Sequence, residues 1–290
     1  MDGPLPSIQP RVMNKTNELR YEVTNSHPKI AFKRIGDGPP VVFLHGIGGH
    51  SMNWARQQAA LADRFTTIAW DARGYGNSED SEGAREFSVF AQDLRRLLDE
   101  LDIDCAHFVG LSMGARILMD FYPENKRRVA TLTLCDCFSG FQSTLSPDKQ
   151  REFLELREKP LKEGKTFADL APALIDSLVS PSCSAEAREA LRKSIVALRP
   201  ESYLKTLRAS VTFERSADVA NMSVPVQLIF GSDDRLTPPS MGEQMLQVLP
   251  DAQLDVIPAA GHLSNLEQPA LFDAALSGFL AKYATLARFF

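Results

Sequence analysis

The residues most able to do chemistry form one short run, Gly110-Leu111-Ser112-Met113-Gly114, which is a G-x-S-x-G pattern. A strand-like run ends near Val109 and a helical pattern opens at Met113, so Ser112 is predicted to lie in a tight turn between them. Such a turn strains the serine backbone, and flanking glycines avoid clashes between neighbouring segments. Ser112 is therefore a candidate nucleophile. The alternative is a glycine-rich turn with a serine that only caps the helix.

A serine hydroxyl is a weak nucleophile at neutral pH, so it needs a general base and a group that orients the base. Gly231-Ser232-Asp233-Asp234 follows one predicted strand directly, and Gly261-His262 follows the next. Active sites of open α/β sheets gather where strands end, so either aspartate could meet His262 there. The histidines at an edge link, a loop and a strand interior are predicted to be structural or solvated: His27, His50 and His107.

The run His45-Gly46-Ile47-Gly48-Gly49 ends another predicted strand. Its glycines would let backbone N–H groups face the space above Ser112, and the N–H groups of Ile47 and Met113 would form an oxyanion hole. A dinucleotide-binding turn is disfavoured, because Asn53 and Trp54 interrupt the required G-x-G-x-x-G lead into a helix.

Composition excludes several classes of protein. The 290 residues carry 32 Lys plus Arg against 37 Asp plus Glu, a net charge of -5 without a dense basic run, so a nucleic-acid partner is not expected. No apolar run reaches the length of a membrane span, and residues 1–10 lack the core of a signal peptide, so a cytoplasmic protein without a membrane partner is expected.

The four cysteines show neither metal-ligand nor disulfide-framework spacing, so neither a zinc site nor a disulfide framework is predicted. Cys135 and Cys137 would share one face of a strand if both lay on it, most simply as small buried hydrophobes.

Short β-branched runs alternate with longer amphipathic stretches, which is typical of an α/β protein with a mostly parallel central sheet flanked by helices. Strands are predicted at residues 19–24, 30–35, 41–45, 65–70, 106–110, 129–135, 226–230 and 253–257. The first two would form an edge hairpin. Helices are predicted at residues 51–62, 85–101, 113–122, 240–248 and 269–283.

Between the sixth and seventh strands the strand rhythm stops and four amphipathic helical stretches follow, near residues 147–158, 166–179, 185–198 and 200–212. We predict a core of residues 1–137 and 218–290, interrupted by a helical cap of residues 138–217 that lies over Ser112.

These motifs resemble those of the α/β-hydrolase fold superfamily over residues 19–283. The matching runs are H-G-I-G-G at 45–49, D-A-R-G-Y-G at 71–76, G-L-S-M-G at 110–114, G-S-D-D-R-L-T-P at 231–238 and A-G-H-L-S-N-L-E-Q-P at 260–269. The resemblance implies a triad of Ser112, Asp234 and His262, with Asp233 as the alternative acid. It also implies scaffold roles for Asp71, Arg73, Gly74, Gly76 and Glu267.

The stretch after His262 is similar to that of 3-oxoadipate enol-lactonases and related small-substrate esterases. The resemblance implies hydrolysis of a small ester or lactone through an acyl-enzyme on Ser112, a mechanism that needs no cofactor or metal. Carbon–carbon bond hydrolases share the triad but typically carry tryptophan where this chain has Leu263, and a non-catalytic small-molecule binding relative is a third possibility. Relatives that dehalogenate substrates or open epoxides use an aspartate as the nucleophile. Ser112 at this position therefore argues against both of these activities.

The substrate pocket is expected to include His45, Gly46, Arg116, Phe138 and Phe141. Arg116 could meet an acidic substrate, or could be an ion-paired helix residue. Further candidates for the pocket or the cap interior are Leu145, Phe153, Leu156, Leu174 and Leu178.

Overall fold

The computed structural model describes residues 20–83, 85–140 and 146–290. Within them nine strands form one sheet in the order β1-β2-β4-β3-β5-β6-β7-β8, with β9 beside the start of β5. The strands are β1 Arg20–Val23, β2 Ala31–Ile35, β3 Pro40–Leu44, β4 Thr66–Trp70, β5 Ile103–Leu111, β6 Val129–Cys135, β7 Val226–Gly231, β8 Ala252–Ile257 and β9 Arg288–Phe289. The predicted α/β class is confirmed.

The centre of the sheet is parallel and covered on both faces. Strand β3 is fully buried and pairs in parallel with β4 and β5. Its side chains alternate between two apolar clusters, with Val42 and Leu44 in one and Val41 and Phe43 in the other. This double burial explains why β3 is a continuous apolar run. The predicted edge hairpin is present, since β1 pairs antiparallel with β2.

Within the described residues nine helices lie where the amphipathic patterns predict them, with small changes at their ends, and two short helices, Ser216–Val219 and Ser264–Glu267, were not predicted. They are α1 Ala55–Leu61, α2 Ser88–Glu100, α3 Met113–Phe121, α4 Pro147–Lys162, α5 Phe167–Leu178, α6 Ala185–Val196, α7 Pro200–Val211, α8 Ser216–Val219, α9 Pro239–Val248, α10 Ser264–Glu267 and α11 Pro269–Tyr283. The first predicted helix begins instead as a 3₁₀ turn over Ser51–Trp54. In the described ranges, none of the helices has the length and apolar character that a bilayer crossing requires.

The start of one strand differs from the sequence prediction because of a long-range pairing. Strand β5 starts at Ile103, earlier than expected, because Ile103 and Cys105 pair with the two-residue strand β9 near the chain terminus. Strand β6 ends at Cys135, so Cys137 is not on it, and the two thiols join opposite apolar clusters rather than one face. Both cysteines are nevertheless buried and free, as small hydrophobes would be.

Helices α4 to α7 fill the interval between β6 and β7. Apolar side chains of α5, α6 and α7 pack into the same cluster as Val109 and Leu111 of β5, including Ile175, Leu191 and Leu207. A buried polar contact joins α7 to the core, where Arg85 donates to Thr206 Oγ1 at 2.7 Å. The division of the chain into a core and a cap of residues 138–217 stays a prediction.

Helix α3 approaches β3 so closely that Gly114 is required. A Cβ at Gly114 would lie 2.2 Å from the Leu44 carbonyl oxygen, whereas a Cβ at Gly278 in α11 would meet nothing within 4 Å. Gly114→Ala should therefore lower the free energy of unfolding by about 1–3 kcal/mol. Gly278→Ala, the matched control, should raise it by up to about 1 kcal/mol, because alanine is the better helix former. Urea unfolding of both variants tests this, and equal effects would contradict it.

Candidate active site

Ser112 sits in a strained turn between β5 and α3. Its backbone has φ 54° and ψ -108°, in the region that non-glycine residues rarely occupy. Its N–H donates to the Cys135 carbonyl at 2.9 Å, which ties the turn to the end of β6. A Cβ at Gly110 would lie 2.5 Å from the backbone nitrogen of Ala115, so this flanking glycine also has no room for a side chain. The tight turn that the sequence predicts at Ser112 is therefore present.

The glycine-rich turn after β3 lies directly beside this serine. Gly49 N–H donates to the Gly46 carbonyl at 3.0 Å and closes the turn around Ile47. A Cβ at Gly46 would be 3.5 Å from the Ser112 Cβ, so the turn and Ser112 are neighbours. Met113 begins α3, and N–H groups in the first turn of a helix have no partner within it. Both predicted oxyanion donors therefore belong to segments that meet at Ser112.

His45 has a structural place at the base of this turn. Its Nδ1 lies 2.7 Å from the Gly46 carbonyl oxygen, and its Nε2 accepts the Ala72 N–H at 3.0 Å. These two contacts fit the neutral tautomer that carries its proton on Nδ1. Burial lowers the pKa of His45 to about 4, so the ring stays neutral at physiological pH.

Asp234 and His262 meet at the ends of β7 and β8. The His262 Nδ1 lies 2.8 Å from Asp234 Oδ2, and both side chains are buried. Asp234 also accepts the N–H groups of Leu236 and Thr237 at 2.8 and 3.0 Å and the Thr237 hydroxyl at 2.6 Å. Asp233, the alternative acid, is exposed and accepts the Ser232 hydroxyl instead. Of the two adjacent carboxylates, only Asp234 is placed against the imidazole.

The pair is poised as a carboxylate beside a basic imidazole. Burial works to raise the pKa of Asp234, but the hydrogen bond and charge of His262 and the donors of Thr237 outweigh it, so that pKa is lowered. Burial works to lower the pKa of His262, but the hydrogen bond and charge of Asp234 raise it above its ordinary value. The imidazole can therefore hold a proton that it accepts.

Asp136, one residue after β6, completes the site and was not predicted from the sequence. Its φ of 45° and full burial place its carboxylate between the two loops. The Gly231 N–H donates to Oδ1 at 2.8 Å, and the Ser264 hydroxyl donates to Oδ2 at 2.7 Å. Asp136 thereby connects the loop of Asp234 to the loop of His262. The only sequence signal was an aspartate at the end of a buried strand.

The other residues of the matching motifs make contacts that hold loops and helices in place. Glu267 accepts the N–H groups of Ser180 and Gly261 at 2.7 and 2.9 Å, beside His262. Asp71 accepts backbone N–H groups of Ser51 and Asn77 at 2.7 and 2.8 Å. Arg73 forms an ion pair with Asp93 of α2, and Gly74 and Gly76 adopt φ of 82° and 46°.

The remaining histidines lie outside the site. His27 contacts Glu79 at the surface, His107 Nδ1 lies 2.9 Å from Thr131 Oγ1 within the sheet, and His50 caps the 3₁₀ turn.

A cavity of about 530 Å³ opens over Ser112 and His262. The predicted pocket residues His45, Gly46, Arg116 and Phe138 line it, whereas Phe141 lies outside the described residues. Among the further candidates Phe153, Leu174 and Leu178 line the cavity, and Leu145 is also outside the described residues. Leu156 is 71% exposed, because the inward side of α4 is formed by Phe153, Leu154, Arg157 and Leu161.

Arg116 reaches the cavity from α3 while almost fully buried. Its guanidinium lies 5.0 Å from the ring centre of Phe138 and 5.4 Å from that of Phe87, and it donates to the Ser210 carbonyl at 3.3 Å. Burial lowers the pKa of Arg116 to about 10, so the group is a cation at neutral pH. Across residues 20–83, 85–140 and 146–290, no three His, Cys, Asp or Glu side chains are grouped as a metal site would need.

Titration of Asp136 should make the free energy of unfolding depend on pH. Burial and the nearby charge of Asp234 raise the pKa of Asp136 to about 7, against the opposing charge of His262. The folded chain thus keeps this proton to higher pH than the unfolded chain, and this group's contribution to stability falls as the pH rises from about 4 to about 7. Asp136→Asn cannot titrate, so the unfolding free energy of the variant minus that of the wild type should rise over this window. Urea unfolding at several pH values measures this difference, and a constant value would contradict the assignment.

Comparison with known proteins agrees with this geometry. The family described as alpha/beta hydrolase fold matches residues 39–269. The chain is 27% identical to 3-oxoadipate enol-lactonase 1 of Acinetobacter baylyi, covering 89% of this chain and 96% of that protein, and 28% identical to a putative carbamate hydrolase of Escherichia coli, covering 84% and 92%.

A solved thermophilic esterase from Thermogutta terrifontis superimposes with a TM-score of 0.82 at 29% identity, over 92% of this chain and 99% of the esterase. The residues that match this family include the strained turn at Ser112 and the loops at the ends of β7 and β8. The protein belongs to the alpha/beta hydrolase fold family.

Proposed function

We propose that this protein is a serine hydrolase that cleaves a small ester or lactone through an acyl-enzyme on Ser112. One observation carries the proposal: Ser112, in a strained turn, and His262, held by the buried carboxylate of Asp234, line the same cavity. A nucleophile, a base and an orienting acid on one cavity are the parts that acyl transfer requires.

The reaction follows from the roles of these groups. His262 Nε2 takes the proton of the Ser112 hydroxyl as the oxygen attacks the substrate carbonyl, and the imidazolium then gives that proton to the leaving alkoxide. Water repeats the sequence on the acyl-enzyme and releases the acid. Asp234 keeps the proton of neutral His262 on Nδ1 and stabilises the imidazolium that forms, which is consistent with the 2.8 Å contact between them.

The negative oxygen of each tetrahedral intermediate would be held by the N–H groups of Ile47 and Met113. Fixed backbone donors need no reorganisation when charge develops, so they stabilise the transition state more than the ground state. A Cβ at Gly46 would lie 3.0 Å from Leu111 Cδ2 and 3.5 Å from the Ser112 Cβ, so this turn lies next to the proposed nucleophile.

The relatives support the substrate class. Their names describe an enol-lactonase, a carbamate hydrolase and an esterase, all of which hydrolyse acyl groups of small molecules. The cavity of about 530 Å³ lies within the range of volumes that is typical of small-ligand pockets. Cleavage of a carbon–carbon bond is less favoured, since Leu263 lines the cavity where such enzymes typically place tryptophan.

Ser112→Ala should remove the nucleophile and lower kcat by at least about a thousandfold, because members of a triad fail as a unit. The matched control is Ser177→Ala, a cavity-lining serine whose hydroxyl donates to the Leu174 carbonyl of its own helix. This control should keep activity and labelling by a fluorophosphonate, whereas Ser112→Ala should lose both. Absence of labelling in the folded wild type would favour a non-catalytic binding protein instead.

Asp234→Asn should lower kcat on the order of 10⁴-fold, because the amide favours the wrong tautomer of His262. Asp233→Asn changes the neighbouring, exposed carboxylate and should lower kcat far less. Steady-state kinetics on one ester, with unfolding curves to show that both variants fold, compare the two losses. A larger loss for Asp233→Asn would refute the role assigned to Asp234.

A further inference from the structure

The glycine-rich turn at residues 46–49 is held by a side chain that takes no part in the proposed reaction. Asn53, in the 3₁₀ turn that follows, accepts the His50 N–H on its Oδ1 at 2.8 Å. A Cβ at Gly49 would lie 2.6 Å from the same oxygen, so the amide of Asn53 packs directly against the turn. The Asn53 N–H in return donates to the His50 carbonyl at 3.0 Å. The end of the turn is thus fixed by a buried amide.

The other end of this amide reaches the helices between β6 and β7. The Asn53 Nδ2 donates to the Ser194 Oγ at 3.0 Å across 141 positions of the chain, and both side chains are buried. Ser194 lies on α6 beside Ile195, and Ile195 lines the cavity together with Leu191. A Cβ at Gly48 would lie 3.8 Å from Ile195 Cγ1, so α6 lies next to the turn. One amide therefore joins the turn to a wall of the cavity.

The backbone of Asn53 is held from the loop of the proposed base. The Asn265 Nδ2 donates to the Asn53 carbonyl at 3.0 Å, and Asn265 follows His262 in the loop after β8. Gln57 of α1 donates in turn to the Asn265 carbonyl at 3.2 Å. Asn53, Asn265 and His262 all line the cavity. Asn53 is therefore a residue at which hydrogen bonds connect the turn, α6 and the His262 loop.

A turn that supplies an oxyanion donor needs such support. Glycines make the shape of the turn accessible, but they also leave the backbone free to adopt other shapes. Backbone N–H groups stabilise an oxyanion best when they are fixed before the charge develops. The side chain of Ile47, the proposed donor, packs against both apolar clusters, but apolar contacts have no direction. The direction of the Ile47 N–H therefore depends on the bond that closes the turn, from Gly49 to Gly46, and on the bond that Asn53 accepts from His50.

We propose that Asn53 is a positioning residue of the oxyanion hole, and that its bond to Ser194 makes the geometry of the hole depend on α6. The proposal rests on the function proposed above and deepens it, since it assigns the order of the turn that contains Ile47 to one buried amide. A residue that only stabilised the fold would change the free energy of unfolding and leave kcat of the folded protein unchanged. The two roles therefore predict different kinetics.

Asn53→Leu removes both hydrogen bonds of the side chain at a similar volume. On p-nitrophenyl butyrate, kcat of the folded variant should fall at least about tenfold with KM nearly unchanged, because the oxyanion exists in the transition state and not in the bound ester. Ser194→Ala removes only the bond to α6 and should lower kcat by a smaller factor, roughly two- to fivefold, as expected for one neutral hydrogen bond. Steady-state kinetics and urea unfolding curves of each variant measure both effects.

The matched control is Gln58→Leu, which also removes a buried amide close by in the chain. Gln58 of α1 donates to the carbonyls of Lys33 and Thr67 at 3.0 and 3.3 Å, so its bonds join α1 to β2 and β4 and not to the turn. This control should lower the free energy of unfolding and leave kcat nearly unchanged.

Two kinetic outcomes would overturn the proposal: wild-type kcat in folded Asn53→Leu, or equal losses of kcat in Asn53→Leu and Gln58→Leu. Wild-type kcat in Ser194→Ala would refute the dependence on α6. If Asn53→Leu does not fold, Ser194→Ala decides the whole proposal, because it leaves the bond between Asn53 and His50 in place.

Amide hydrogen exchange followed by NMR tests the same role without a substrate. The informative group is the Gly49 N–H, which closes the turn on the Gly46 carbonyl and does not donate to Asn53. Its exchange should be at least about tenfold faster in Asn53→Leu than in the wild type, and unchanged in Gln58→Leu. If no ester is hydrolysed, the proposed reaction fails while this measurement still decides whether Asn53 orders the turn. An unchanged exchange rate of Gly49 in Asn53→Leu would refute the positioning role.

Discussion

Helix α3 leaves β5 so close to β3 that a side chain at Gly114 would overlap the Leu44 carbonyl. That close approach forces the chain to reverse within one residue, and Ser112 accepts the positive φ that the reversal demands. The strain is maintained by the packing of α3 into a large apolar cluster and by the contact of Ser112 N–H with Cys135. Everything proposed for the site begins with this position of the serine above the sheet.

The second requirement is that the loop after β7, which carries Asp234, and the loop after β8, which carries His262, stay fixed relative to each other. Two buried carboxylates connect them: Asp136 accepts the Gly231 N–H and the Ser264 hydroxyl, and Asp234 contacts His262. A third, Glu267, accepts the N–H groups of Gly261 and Ser180 and so joins the loop of His262 to the end of α5. The pKa of Asp234 is lowered while that of Asp136 is raised, although both are buried in the same region. The hydrogen bond and charge of His262 outweigh the loss of hydration of the Asp234 carboxylate, so the pKa of Asp234 falls. The hydrogen bonds to Asp136 do not outweigh its loss of hydration, so the pKa of Asp136 rises. One carboxylate is therefore suited to orient a cation and the other to connect loops.

The helices between β6 and β7 provide the rest of the cavity, and the end of α5 is tied to the loop after β8: the His262 N–H donates to the Leu178 carbonyl at 2.7 Å, and the Ser180 N–H donates to Glu267 at 2.7 Å. The apolar side chains of these helices pack into the cluster under the serine turn, while Arg157 of α4 and Tyr203 of α7 supply polar atoms to the wall. In the proposed reaction, the ends of β5, β7 and β8 supply the reacting groups, and helices α4 to α7 supply much of the cavity wall.

Local patterns in the sequence predicted the eight longer strands, the nine longer helices and the tight turn at Ser112, because each of these depends on residues that are neighbours in the chain. The choice of Asp234 over Asp233 needed the spacing of a family motif, and the structure gives its reason in the three donors from Leu236 and Thr237.

Only the tertiary structure decided the roles of Asp136 and Ser264, the pairing of β9 with β5, and the outward direction of Leu156. Asp136 and Ser264 are 128 positions apart and share no periodicity. Arg157 is likewise one arginine among many until packing places it on the cavity wall, since the charge of a site is set by which residues the fold brings together and not by their order in the chain.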